Sequence, residues 1–200
     1  DASVWVVDAR PRGAFAEAHV PGAVGVELAE DFGTWVGWIV PFNAPVMLVL
    51  DPGQDEREAM VQLIRIGYEH VRGVLRGMAE WLSEGRPTEQ FQSVTVAEFA
   101  EAVKTGQARQ ILDVRTPAER ASERLEGSVH RFAGDLEANI PAELSVHDPV
   151  WVACASGYRA NLSASLLQRA GYTPVALRDG GVADVLAHRL LAASAPDSHR

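Results

Sequence analysis

One residue in 200 is cysteine, and its surroundings are those in which a thiol does chemistry. It stands in Trp151-Val-Ala-Cys154-Ala-Ser-Gly-Tyr-Arg159-Ala-Asn161. That segment reads as the end of a buried strand, a short loop with a glycine, and the first turn of a helix. A helix N-terminus presents unpaired backbone N–H groups and a partial positive charge, so it favours an anion. A thiolate placed there is stabilised, and the thiolate is the nucleophilic form of cysteine. The N–H groups of Ala155, Ser156, Gly157, Tyr158 and Arg159 are then the expected cradle for that charge, with Arg159 adding a permanent positive charge at the far end. A free cysteine elsewhere is most often inert packing. The strand–helix junction, the Ser156-Gly157 pair and Arg159 together point instead to a nucleophile at Cys154.

The rest of the composition narrows the chemistry. A single cysteine excludes a disulfide framework and a cysteine-rich zinc site. The six histidines, at 19, 70, 130, 147, 188 and 199, form no H-x-H or H-E-x-x-H pair, so local spacing gives no metal site and no cofactor is implied. Eighteen basic against 27 acidic residues give a net charge of −9 with no basic run, which argues against a nucleic-acid surface. No apolar stretch approaches the ~20 residues of a membrane span and no signal peptide opens the sequence, so neither a membrane partner nor export is expected and the reading is cytoplasmic.

The elements that must position Cys154 are written twice. Val4-Trp-Val-Val-Asp-Ala-Arg10 corresponds to Gln110-Ile-Leu-Asp-Val-Arg115, with Asp8 and Asp113 set 105 residues apart. Ile66-Gly67-Tyr68 matches Ala170-Gly171-Tyr172, and Gly77 matches Gly181, both 104 apart. Between them, Pro45-Val-Met-Leu-Val-Leu50 aligns with Pro149-Val-Trp-Val-Ala153 as apolar runs of strand length. Each copy alternates strands with helical stretches, which predicts an α/β fold: two tandem domains, each a mainly parallel sheet with helices on both faces. Thr95-Val-Ala-Glu98 reads as a capping box opening a helix that ends at Gly106. No matching helix precedes the first copy. The expected boundaries are 1–86 for the first domain, 87–92 for a linker, 93–191 for the second domain and 192–200 for a frayed tail. Trp35 and Trp38 are expected to pack the core.

The loop Cys154-Ala-Ser-Gly-Tyr-Arg159 resembles the six-residue active-site loop of rhodanese sulfurtransferases. The similarity extends to Asp113-Val-Arg115, Glu119, Gly127, Gly171-Tyr172 and Gly180-Gly181, and in the first copy to Asp8-Ala-Arg10, Glu17-Ala-His-Val-Pro-Gly22-Ala23 and Gly67-Tyr68. Two departures stand out. The first copy places Asp51, in Leu50-Asp51-Pro-Gly-Gln, at the catalytic position, so that domain reads as inactive and Asp51 as a turn or helix-capping residue. The family's Gly-His-Ile-Pro-Gly-Ala stretch is replaced in the second copy by Glu123-Arg-Leu-Glu-Gly-Ser128, a change that touches acceptor docking more than chemistry. An inactive copy before an active one, with Phe32-Gly-Thr-Trp35-Val-Gly-Trp38, is similar to the C-terminal part of fusions in which a metallo-β-lactamase-fold persulfide dioxygenase precedes two rhodanese modules.

The resemblance implies a sulfurtransferase. Cys154 would take the outer sulfur of a small anionic donor, thiosulfate or a low-molecular-weight persulfide, and pass it to sulfite, a thiol or cyanide. Asp113 and Arg115 are expected to be a structural ion pair near the strand end. Two other readings remain open: a docking or sulfur-relay module for an upstream domain, and a cysteine phosphatase or arsenate reductase on the same fold. The latter enzymes use Cys-x5-Arg, whereas four residues separate Cys154 from Arg159.

Overall fold

The computed structural model describes residues 4–194. The first domain runs β1 (Trp5–Asp8), α1 (Arg12–Glu17), β2 (Val24–Gly25), α2 (Phe32–Ile39), β3 (Val46–Leu50), α3 (Glu56–Arg65), β4 (Val71–Arg76) and α4 (Ala79–Ser83). The second runs β5 (Gln92–Val94), α5 (Val96–Thr105), β6 (Gln110–Asp113), α6 (Pro117–Ser122), β7 (Val129–His130), a 3-10 turn (Ala133–Asp135), β8 (Val150–Ala153), α7 (Tyr158–Arg169), β9 (Pro174–Leu177) and α8 (Val182–Ser194). The two sheets have strand orders β2-β1-β3-β4 and β5-β9-β8-β6-β7, and all their pairs are parallel. β3 and β8 sit inside their sheets under helices, which is why they are short continuous apolar runs rather than alternating ones.

The strand orders correspond, β2-β1-β3-β4 to β7-β6-β8-β9, as the repeat predicts. β5 and α5 have no counterpart among the described residues of the first domain. β4 is therefore an edge where β9 is flanked by β5. A groove of ≈ 380 Å³ lined by Val6, Val20, Met47, Val49, Leu75 and Trp81 lies along the first sheet. In the second domain the cluster around Phe99, Ala102, Ile111, Trp151 and Val185 packs α5 and α8 over the sheet.

Local signals explain where the elements start and stop. Thr95 and Glu98 form the predicted capping box, and Gly106 closes α5 in the left-handed region. Thr116 and Glu119 form a second box with Pro117 in the first turn of α6, a signature of the same kind that the sequence reading passed over.

Several expectations need correction. β5 begins at Gln92, which had been placed in the linker, because its backbone pairs with Val175 of β9. The linker is tied down: Glu89 and His19 exchange backbone hydrogen bonds, and the Phe91 N–H donates to the Ala16 carbonyl. α8 continues to Ser194, so residues 192–194 of the expected tail are helical, while 195–200 lie outside the described residues. Trp35 packs against the core as expected, but Trp38 does not. Trp38 is 52% exposed and stands edge-on to Phe132, while Trp35 faces Phe132 and Tyr158, so both rings meet the second domain.

The seam between the domains is built around α7. Residues 160–167 of this helix are all buried. One apolar cluster joins Val7, Val24, Val36 and Leu48 of the first domain to Leu112, Val152, Leu162 and Leu166 of the second. Polar bonds flank that cluster: the Gly25 N–H donates to Ser165 Oγ, and Arg169 lies 4.3 Å over the Trp5 ring.

Candidate active site

Strand β8 delivers Cys154 to the carboxyl edge of the second sheet, the place where open α/β sheets bind ligands. Two backbone donors point at its sulfur: the N–H of Gly157 at 3.1 Å and that of Ser156 at 3.5 Å. The cysteine is itself fully buried, beneath exposed Ala155 and Ser156. Gly157 has φ +86°, and a Cβ there would stand 2.3 Å from the Arg178 carbonyl oxygen. A Cβ on Gly181 would stand 2.1 Å from the Ala155 oxygen. Both positions have to be glycine because the segment after β9 is pressed against the loop, where the Val182 N–H also holds the Cys154 carbonyl at 2.9 Å.

Arg159 occupies the far end of the loop but is not a free cation. It pairs with both carboxylate oxygens of Glu119, at 2.7 and 2.6 Å. The guanidinium, with further hydrogen bonds from Thr116, holds the Glu119 carboxyl down at about 2 against an ordinary 4.5. Arg159 is raised in turn, first by its bonds to Glu119, against the opposing effect of burial. Sequence reasoning placed Arg159 and noted Glu119, yet had no means of pairing residues 40 positions apart. The pairing has a pH signature. A carboxylate with a lowered folded pKa contributes stability that is complete above 4.5 and lost as pH falls towards 2. Glu119→Gln is therefore expected to be less stable than wild type at pH 7, with the difference closing by about pH 2. Urea unfolding at several pH values measures it, and a pH-independent difference would contradict it.

Asp113 and Arg115 form the expected ion pair at 2.8 Å, with Arg115 reaching on to the Glu123 carbonyl. Asp8 and Arg10 repeat it at 2.8 Å, with Arg10 reaching the Ala18 carbonyl. Both pairs are buried and neither touches the sulfur. Each fastens the end of a strand to the end of the helix that follows.

The inactive counterpart of the cysteine has to be reassigned. Ladder register matches Val49, opposite Asp8, with Ala153, opposite Asp113, so the residue equivalent to Cys154 is Leu50 and not Asp51. Leu50 is buried at the end of β3. Asp51 follows it in a turn whose closing N–H comes from Gln54, and the cap of α3 is Asp55. The Gln54 carboxamide bridges the Asp51 N–H and the Ala9 carbonyl. A leucine side chain carries no nucleophile.

The first domain also reaches the loop directly. Arg12 Nη1 donates to the Ser156 carbonyl at 2.8 Å while its Nε pairs with Glu27 at 2.7 Å, and Tyr158 donates its hydroxyl to the Glu27 carbonyl at 2.9 Å. Burial, reinforced by the Asp31 and Glu27 carboxylates, holds the Tyr158 phenol far above its usual range, so it keeps the proton that it donates to the Glu27 carbonyl. Arg12 and Glu27 carried no signal in the sequence, because their partners in the loop, Ser156 and Tyr158, lie more than 130 residues away. Among the described residues there is no group of three or more His, Cys, Asp or Glu that could hold a metal, and no helix long and apolar enough to cross a membrane.

Comparison with known proteins places this geometry. YrkF of Bacillus subtilis (strain 168), named for a sulfur-carrier role, is 28% identical over 107 residues, which make up 54% of this chain and 56% of that protein. The chain thus spans about half the length of the curated relative it matches. Among solved structures, a thiosulfate sulfurtransferase from Pseudomonas aeruginosa is 25% identical, covering 92% of this chain and 39% of its own, with a TM-score of 0.40. A human single-domain sulfurtransferase is 22% identical, covering 48% of this chain and 95% of its own, with a TM-score of 0.42. The model of the rhodanese-like domain matches twice, over residues 1–84 and 95–188, and the chain belongs to that family as two domains in tandem.

Proposed function

We propose that the chain is a sulfurtransferase with one active site, at Cys154. The observation that carries this reading is the convergence of the Gly157 and Ser156 N–H groups on the cysteine sulfur at the mouth of α7. An inert core cysteine is just as buried, but no loop turns its donors onto it. The Cys154 thiolate attacks the outer sulfur of thiosulfate, the sulfur–sulfur bond breaks, and sulfite departs with the bonding pair. The enzyme then carries a Cys154 persulfide, whose anion takes the same two N–H bonds. Cyanide, sulfite or a thiol attacks the outer sulfur, and the Cys154 thiolate leaves. A sulfur this deeply buried favours small donors over protein ones.

The phosphatase alternative fits less well. Its loop needs an arginine free to hold a tetrahedral oxyanion, and Arg159 is committed to Glu119 on both sides of its fork. A docking module is the second reading, favoured by the open apolar groove on the first sheet, and the upstream dioxygenase-type domain of the resembled fusions is the partner it would meet. Intact mass measurement after incubation with thiosulfate separates these readings. The wild-type chain is expected to gain one sulfur atom, removed by cyanide with release of thiocyanate. A chain that gains none is a module without its own turnover.

A further inference from the structure

We infer that Arg12, a residue of the domain without a nucleophile, is a positioning residue for the sulfur site of the other domain. The proposal rests on Cys154 being the working nucleophile. It starts from one peptide plane. The carbonyl of Ser156 and the N–H of Gly157 belong to the same trans peptide unit, so they point in opposite directions and turn together. The N–H lies on the Cys154 sulfur at 3.1 Å, and the carbonyl accepts from Arg12 Nη1 at 2.8 Å. Anchoring the oxygen on the outer side aims the hydrogen inward.

The anchor is itself held. Arg12 Nε is fixed by the Glu27 carboxylate at 2.7 Å, and its guanidinium lies 6.0 Å from the centre of the Tyr158 ring, the residue that follows Gly157. Tyr158 in turn reaches the Glu27 backbone. Arg12, Glu27 and Tyr158 thus close a ring of contacts across the seam, centred on the peptide that faces the sulfur. Gly157 needs such a restraint. It sits at φ +86° with no side chain to fix the peptide, and the two residues before it, Ala155 and Ser156, are exposed. A preorganised donor contributes to rate only if it does not have to be reoriented during the reaction.

The test compares wild type, Arg12→Met and Arg12→Lys in the full chain, each first checked by circular dichroism and thermal melting. Turnover with thiosulfate and cyanide is expected to fall about tenfold in kcat for Arg12→Met, with KM within about twofold, since full loss of an oxyanion donor costs 10²–10³ and here the donor is only loosened. Arg12→Lys keeps a donor for the Ser156 carbonyl and is expected to recover most of kcat. The ultraviolet thiolate band of Cys154, taken as the difference from Cys154→Ser, should titrate at higher pH in Arg12→Met than in wild type. A rise in KM with kcat unchanged would make Arg12 a steering charge and overturn the proposal, as would Arg12→Lys as slow as Arg12→Met. If wild type itself shows no turnover, the sulfurtransferase reading has failed and the thiolate titration alone decides. An upward shift then still supports the positioning role, and no shift overturns it.

Discussion

Cys154→Ser is expected to remove sulfur transfer, lowering turnover by at least about 10³-fold, while leaving the fold intact. The two side chains are close in size, and a serine hydroxyl at this site still receives the Gly157 and Ser156 N–H groups. A buried hydroxyl that keeps its hydrogen bonds costs about 1 kcal/mol, well inside the stability of a domain. The chemistry does not survive. A hydroxyl is not ionised at neutral pH and cannot hold a transferable sulfur as a persulfide, so the step that stores sulfur on the enzyme disappears. Continuous assay with thiosulfate and cyanide, alongside a thermal melt, measures both sides. Residual turnover within about tenfold of wild type would mean that sulfur passes directly from donor to acceptor, with the loop serving only to bind them.

The largest effect on stability is expected from Asp113→Ala, a loss of about 3–5 kcal/mol. The aspartate is fully buried and accepts from the Arg115 backbone, the Arg115 side chain and Arg120. Deleting it leaves a guanidinium that is only 4% exposed without its paired carboxylate, with Glu119 and Glu123 as the remaining nearby negative charges. That unpaired charge, more than any lost attraction, is the source of the cost. The double substitution Asp113→Ala with Arg115→Met should therefore regain part of the loss. Urea unfolding of the single and double variants tests this, and a single-variant loss below about 1 kcal/mol would show that the pair adds nothing to the fold.

What was readable in advance and what was not divides along sequence separation. The capping box at Thr95 and Glu98, the left-handed Gly106 and the buried strands β3 and β8 are set by neighbours in the chain, and local pattern found them. Cys154 was found because a strand end, a glycine and a helix start fall within a few residues of it. The inactive position was misplaced by one residue. Asp51 looks chemical and Leu50 does not, although the 104-residue offset of Pro45 and Pro149 already sets Leu50 against Cys154, and the pairing of Val49 with Asp8 agrees with it. Trp38 was misjudged, and the second-domain contacts of Trp35 missed, because nothing local says that Phe132 and Tyr158 stand opposite them. The contact from Arg12 to Ser156 spans 144 residues and follows from how the two sheets meet around α7.

That helix has a consequence for how such a chain can change over generations. With β2 against one flank of α7 and β8 against another, the nucleophile-free copy is half of the wall around the working helix. Deleting the first domain would uncover a helix whose residues 160–167 are all buried, whereas Leu50 lies at the end of its own strand β3. What persists in such a copy is whatever touches its sibling. Change in the first domain is therefore constrained at Arg12, Gly25 and Trp35, which touch the second domain, and freer at the turn that Asp51 begins.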